Sequence, residues 1–237
     1  MELNFLGRGA GFNPAEGCTS AYFIDKGELF LIDCGESVFR ILLERKILDP
    51  VSKLNLFITH THSDHAGSLG SLVLYASTIK KLIVNIIFDE NMAFLPDIRT
   101  LLRIFGVPEN MYHFVDSSKL DAVYSLFDKV RYFKTKHCNE LDTCGILFET
   151  GEGLVFYSGD MSDPSPLLEV IGSERRIDKI YIDSSSDRGL HHISVHTLND
   201  VVPAGMKPKI HCMHINNPQC AEEAKTYGFS VVSVCRL

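Results

Sequence analysis

Between Thr59 and His65 the chain reads Thr59-His60-Thr61-His62-Ser63-Asp64-His65, directly after the apolar run Leu54-Asn55-Leu56-Phe57-Ile58. Three imidazoles and a carboxylate crowded at the end of an apolar strand need a shared partner, and a metal ion is the partner that suits them. Neutral imidazole and carboxylate fit zinc, manganese or iron(II), while the missing thiolates argue against a purely structural zinc knuckle. A catalytic metal site is therefore expected here. If residues 54–58 form a buried strand, His60 and His62 share one side by the two-residue period and close on one ion from the loop that follows. Asp64 and His65 fall at the turn into a helix expected to begin near Ala66-Gly67, offset so as to hold a second ion beside the first. Two neighbouring ions can stabilise the attacking and the leaving oxygen of a hydrolytic displacement together.

The rest of the chain sets the frame for such a site. At 237 residues and 45% hydrophobic content, it can bury one large core, and no Pro/Gly/Ser-rich linker or low-complexity block divides it, so residues 1–237 are expected to form a single domain. The apolar stretches are too short for a membrane span, and Met1-Glu2-Leu3-Asn4 does not open like a basic, apolar signal peptide. Seven scattered cysteines without a CxxC pair suit a reducing compartment. A cytoplasmic protein is the expectation. Hydrophobic spacing predicts strands at 3–6, 21–25, 29–33, 54–59, 82–88, 130–134, 145–149, 154–158, 179–183 and 209–215. Helices are expected at 37–46, 66–77, 92–105 and 220–227, with another from Val195, capped by Ser194.

The H-x-H-x-D-H motif resembles the signature of the metallo-β-lactamase superfamily, which implies an α/β fold, a four-layer αβ/βα sandwich with its ligands along one rim. The resemblance also implies three further ligands downstream. His137, after Tyr132-Phe133-Lys134-Thr135-Lys136, would complete the first metal site; His113 is a weaker competitor because no Gly-rich hairpin leads from it to an acid. Asp160, in Phe156-Tyr157-Ser158-Gly159-Asp160, has the setting of a carboxylate bridging both ions. Of the two histidines in Lys209-Ile210-His211-Cys212-Met213-His214, His214 precedes Ile215-Asn216-Asn217 as the terminal ligand should, and His211 reads as a strand residue. The metal set is then His60, His62, Asp64, His65, His137, Asp160 and His214, holding two divalent ions, with zinc expected and manganese as the alternative.

Leu3-Asn4-Phe5-Leu6-Gly7-Arg8-Gly9-Ala10-Gly11 and Leu31-Ile32-Asp33-Cys34-Gly35-Glu36 narrow the resemblance to ribonuclease Z and its small relatives. That branch carries a late histidine on an H-x-[ST] segment, oriented by an upstream carboxylate, that protonates the leaving oxygen. The resemblance maps this role onto His192-Ile193-Ser194 with Asp183 as the orienting acid, one methylene shorter than the usual glutamate; His191 and His196 are neighbouring alternatives. A carboxylate-held imidazole keeps one tautomer and can hold a proton for a departing group near neutral pH.

Phosphodiester cleavage is the reaction class that these segments favour. Thioester hydrolysis is an alternative, oxygen reduction is disfavoured by the lack of room for a flavin domain, and a non-enzymatic nucleotide-binding module is opposed by the full ligand inventory. Within phosphodiesterases, the enzymes of transfer RNA 3′-end processing usually insert a long arm after the third histidine, where this chain has one short hairpin between His137 and Asp160. Thirty acidic against 23 basic residues, a net charge of −7, also argue against a nucleic-acid partner, which calls for a clustered basic face. The chain is most similar to the small arm-less cyclic-nucleotide phosphodiesterases, among them the anti-Pycsar enzymes that destroy cyclic pyrimidine nucleotide signals. That resemblance implies a small cyclic nucleotide, including cyclic CMP and cyclic UMP, as substrate, Asp64, His192 and Asp183 as catalytic groups, and a homodimer.

Overall fold

In the computed structural model, which describes residues 1–90, 92, 95–173, 176–189 and 191–234, two six-stranded sheets divide the chain between its halves. The first holds β1 (Asn4–Gly7), β2 (Ser20–Asp25), β3 (Glu28–Ile32), β4 (Lys53–Phe57), β5 (Ile83–Phe88) and β6 (His113–Asp116) in sequence order. The second holds β7 (Lys129–Thr135), β8 (Thr143–Thr150), β9 (Gly153–Tyr157), β10 (Ile177–Asp183), β11 (Ile210–Met213) and β12 (Ser230–Val231), again each beside its neighbour in sequence. The helices are α1 (Val38–Glu44), α2 (Ser63–Ala66), α3 (Leu69–Thr78), α4 (Leu95–Ile104), α5 (Leu120–Val123), α6 (Ser165–Ser173), α7 (Val195–Val201) and α8 (Pro218–Thr226). Among the described residues no helix is long and apolar enough to cross a membrane.

Strand alternation builds the layers. On β8 and β9, Ile146, Phe148, Val155 and Tyr157 join the core between the sheets, whereas Leu147, Leu154 and Phe156 join a second cluster with Leu167 and Val170 of α6, Val195 and Leu198 of α7, and Cys220 and Ala224 of α8. Successive side chains on a strand point to opposite faces, so a near-continuous apolar run is what a sheet covered on both sides requires. Aromatic rings lock the sheets together: Phe148 meets Phe57 edge to face at 5.2 Å, and Phe5 meets Tyr181 at 5.3 Å. The result is the four-layer sandwich of the metallo-β-lactamase fold.

Strand direction then decides where function can sit. β1 and β3 are both antiparallel to β2, and β3 to β6 run parallel. β7 and β9 are both antiparallel to β8, and β9 to β12 run parallel. The carboxyl ends of β3, β4, β7, β9, β10 and β11 consequently meet on one rim, and every candidate donor lies at or just beyond one of them.

Several sequence expectations need correction. The helix expected over 66–77 is two, α2 and α3, and it starts earlier: the His62 carbonyl already accepts from His65 N and Ala66 N, placing Asp64 and His65 inside the first turn rather than before it. The break between them falls where the Ser68 hydroxyl bonds the carbonyls of Cys34 and Gly35. The helix expected over 92–105 is described as Leu95–Ile104, with residues 93 and 94 outside the described set. Periodicity also missed β6, β12, α5 and α6.

Candidate metal centre and active site

Asp33 organises the first part of the site. It sits at the end of β3 in the left-handed region, φ 63°, and is fully buried. Its carboxylate accepts from Thr59 N at 2.7 Å and Thr59 Oγ1 at 2.8 Å, and its Oδ2 lies 2.9 Å from His65 Nδ1. Thr59 Oγ1, having given its proton to Asp33, can accept at 3.1 Å from His60 Nδ1. His137 Nδ1 donates to the His191 carbonyl at 2.7 Å. His214, also left-handed at φ 55°, turns its Nδ1 toward Asp183 Oδ1 at 3.2 Å, off the line of a well-formed hydrogen bond. His60, His65, His137 and His214 thus engage the protein through Nδ1 and leave Nε2 for the rim. A hydrogen-bond acceptor behind the far ring nitrogen is the usual support of a metal-ligating histidine.

The inward atoms form two clusters that share Asp160. In the first, His62 Nδ1 lies 3.1 Å from His60 Nε2 and 3.2 Å from His137 Nε2, with Asp160 Oδ2 at 3.8 Å from His60 and 3.6 Å from His137. In the second, His65 Nε2 lies 3.4 Å from both His214 Nε2 and Asp64 Oδ2, and Asp160 Oδ1 lies 3.3 Å from His65 and 3.5 Å from His214. Tetrahedral zinc with bonds of about 2.0–2.1 Å spaces its ligand atoms about 3.3 Å apart, so both clusters are of the size and donor type of a zinc site. Asp160 turns Oδ2 to the histidines of the first cluster and Oδ1 to those of the second.

Charge points the same way. Burial disfavours a proton on His65, but Asp160 and Asp33 more than offset it and hold the imidazole well above its ordinary pKa. Burial likewise opposes charge on His214, yet Asp160, Asp183 and Asp64 carry it up to about 10. Asp160 is pulled well below the usual carboxylate range by His214 and His65 against its burial. The carboxylates of this rim thus favour positive charge on the groups beside them. His60 goes the other way, pushed down by burial and by His65.

Beside the clusters, His192 Nδ1 meets Asp183 Oδ2 at 2.8 Å, and the same oxygen accepts from Met161 N at 3.0 Å. Asp183 overcomes the effect of burial and raises the His192 pKa. Ser194 caps α7 by accepting from Thr197 N, which sets the segment carrying His192. His192, Asp64, Asp160, His137, His62 and His214 face a cavity of about 600 Å³, within the roughly 300–1,000 Å³ of small-molecule sites.

The other candidate histidines lie elsewhere or do other things. His211 packs on the Tyr181 ring, His196 bonds the Tyr227 hydroxyl, and His113 is exposed on β6. His191 lines the cavity, but its Nδ1 donates to the His137 carbonyl at 3.0 Å. Asn216 and Asn217 are largely committed to Ser186, Asp187 and the amino end of α8.

Sequence reasoning missed Asp33 as the support of His65. Its signals were an acid ending an apolar strand and its place in the segment 31–36 that carries the family resemblance. Asp33→Ala should leave His65 and Thr59 without their buried acceptor and weaken metal binding by roughly 10–100-fold. Competition against a chromogenic chelator measures this, and unchanged affinity would refute it.

Solved structures share the fold. The metallo-β-lactamase fold protein YhfI from Bacillus subtilis superposes with a TM-score of 0.73 at 18% identity, covering 99% of this chain and 95% of that one. Human tRNase Z, short form, gives 0.68 at 18% identity over 99% and 96%. At these identities the likeness is one of fold, and the strand-end rim of this sandwich carries paired His/Asp donors that could hold metal ions. In sequence, the anti-Pycsar protein Apyc1 of Bacillus phage 010DV004 is 30% identical over 179 residues, 68% of each chain. With the model of that family matching residues 1–233 as well, the chain belongs to the anti-Pycsar protein Apyc1 family.

Proposed function

We propose that this protein is a dinuclear phosphodiesterase that opens 3′,5′-cyclic nucleotides, cyclic CMP and cyclic UMP among them, to linear nucleoside monophosphates. The observation that carries the reading is the pair of donor clusters joined through Asp160, with the His192–Asp183 pair beside them in one small cavity. Support for the cyclic substrate comes from the family, whose name sets it against Pycsar, and from the size of the cavity.

His60, His62, His137 and Asp160 would hold one ion, and Asp64, His65, His214 and Asp160 the other. Such a pair, when bound, supplies Lewis acidity and a water acidic enough to act as nucleophile near neutral pH. Asp64, at 15% side-chain exposure, borders the cavity and can orient the attacking water by accepting a hydrogen bond from it, the proton of that water passing to solvent. His192, fixed through Nδ1 by Asp183, has Nε2 left to protonate the ribose oxygen. As the water oxygen bonds to phosphorus, the bond from phosphorus to that ribose oxygen breaks, and the proton from His192 completes the new hydroxyl.

The test is a panel of 3′,5′-cyclic nucleotides beside a transfer RNA precursor with a 3′ trailer, each with metal-loaded and chelator-stripped protein. Linear monophosphates should form only with metal present, and restored zinc should restore them. Trailer removal with inert cyclic nucleotides would overturn the substrate, and full activity after stripping would overturn the metal chemistry.

A further inference from the structure

We infer that Phe12 is the surface on which the nucleobase stacks, and hence a substrate-binding residue of the site; this rests on the cyclic-nucleotide reading above. Phe12 is 104% exposed, the most exposed large apolar side chain among the described residues. A lone exposed apolar residue is ordinary on a protein surface, but its position here is not ordinary. It lies on the wall of the catalytic cavity, where the other described lining residues are His, Asp, Ser, Asn, Cys, Gly and Ala. A bound nucleotide presents an anionic phosphate and a flat, weakly polar base. The donor clusters account for the phosphate, and Phe12 supplies the one hydrocarbon ring for the base.

The backbone turn that carries Phe12 is tied down on both sides. Asn13 N closes a turn on the Ala10 carbonyl at 2.8 Å, while Ala10 N and Asn13 Nδ2 both bond the Ile215 carbonyl, at 3.1 and 2.8 Å. Ile215 N returns to the Arg8 carbonyl at 2.7 Å. Ile215 directly follows His214, so the turn bearing Phe12 is tied to the strand end that carries a candidate ligand. On its other side, a Cβ on Gly11 would come 2.9 Å from Asp64 Oδ2, so the backbone beside Phe12 packs closely over the second cluster. A backbone fixed in advance leaves only the side-chain rotamer to be ordered when a base arrives, which favours stacking.

Stacking of a base on an aromatic side chain is sequence-tolerant and is lost on truncation to alanine. Phe12→Ala, a change at a fully exposed position that should leave the melting temperature alone, is expected to raise KM for cyclic nucleotides roughly tenfold with kcat nearly unchanged. The methyl riboside of 3′,5′-cyclic phosphate, which has no base, should be hydrolysed equally by both proteins. The chain has no tryptophan, so Phe12→Trp creates a single tryptophan, whose emission can be excited apart from that of the eight tyrosines. Its emission should be quenched by a non-hydrolysable cyclic nucleotide phosphorothioate and not by inorganic phosphate. If wild type hydrolyses cyclic nucleotides but Phe12→Ala leaves KM within twofold, the stacking role is wrong while the function stands. If wild type leaves every cyclic nucleotide intact, both fall together. Emission that follows protein concentration and ignores nucleotide would place Phe12 in a contact between copies and overturn the inference.

Discussion

Replacing Asp160 with alanine is expected to cost the protein both metal ions and with them its activity. Its Oδ2 completes the cluster of His60, His62 and His137, and its Oδ1 faces His65 and His214. Metal ions contribute several kcal/mol to transition-state charge stabilisation, and each 1.36 kcal/mol is tenfold in rate, so hydrolysis should fall by about 10³-fold or more. Metal retained after dialysis, measured by plasma emission spectroscopy, should fall in parallel. His62→Ala touches one cluster only and should cost about half the bound metal. An Asp160→Ala protein that kept both ions, or stayed within tenfold of the wild-type rate, would show that the carboxylate is not the bridge.

The second large effect separates proton transfer from metal binding. His192→Ala removes the group proposed to protonate the ribose oxygen, and loss of a general acid typically costs about 10²–10⁴-fold. Bound metal should be unchanged, since His192 Nδ1 is committed to Asp183 and lies 3.9 Å from Asp160. A phosphodiester with a nitrophenolate leaving group needs no protonation and should lose far less. Asp183→Asn should combine both defects, because Asp183 faces His192 through one oxygen and His214 through the other. Equal losses on good and poor leaving groups would mean that His192 binds substrate and does not serve as the acid.

Much of this site could be read in the sequence because its densest part is local. His60, His62, Asp64 and His65 fall within six residues after one strand, so a two-residue period and a turn already bring them together. His137, Asp160 and His214 come from distant positions, and it was the family resemblance, working on apolar strand ends, that singled them out. The structure brings all three to the same rim and leaves His211 against Tyr181. What escaped was interaction across the chain: the pairing of Asp33 with His65 spans 32 residues, and no periodicity encodes it. Short edge elements escaped for a different reason. β12 has two residues and β6 four, too few for a pattern, and both are held by neighbouring strands rather than by their own propensity. The early start of α2 was hidden because its first turn is polar, made of Ser63, Asp64 and His65.

The most direct test of the central claim, two ions joined by one carboxylate, is anomalous diffraction at the zinc edge from crystals of the metal-loaded protein. Two peaks are expected, the first about 2.0–2.2 Å from donors of His60, His62, His137 and Asp160 and the second at the same distances from Asp64, His65, His214 and the other oxygen of Asp160. A single peak, or two peaks that do not share Asp160, would contradict the dinuclear centre.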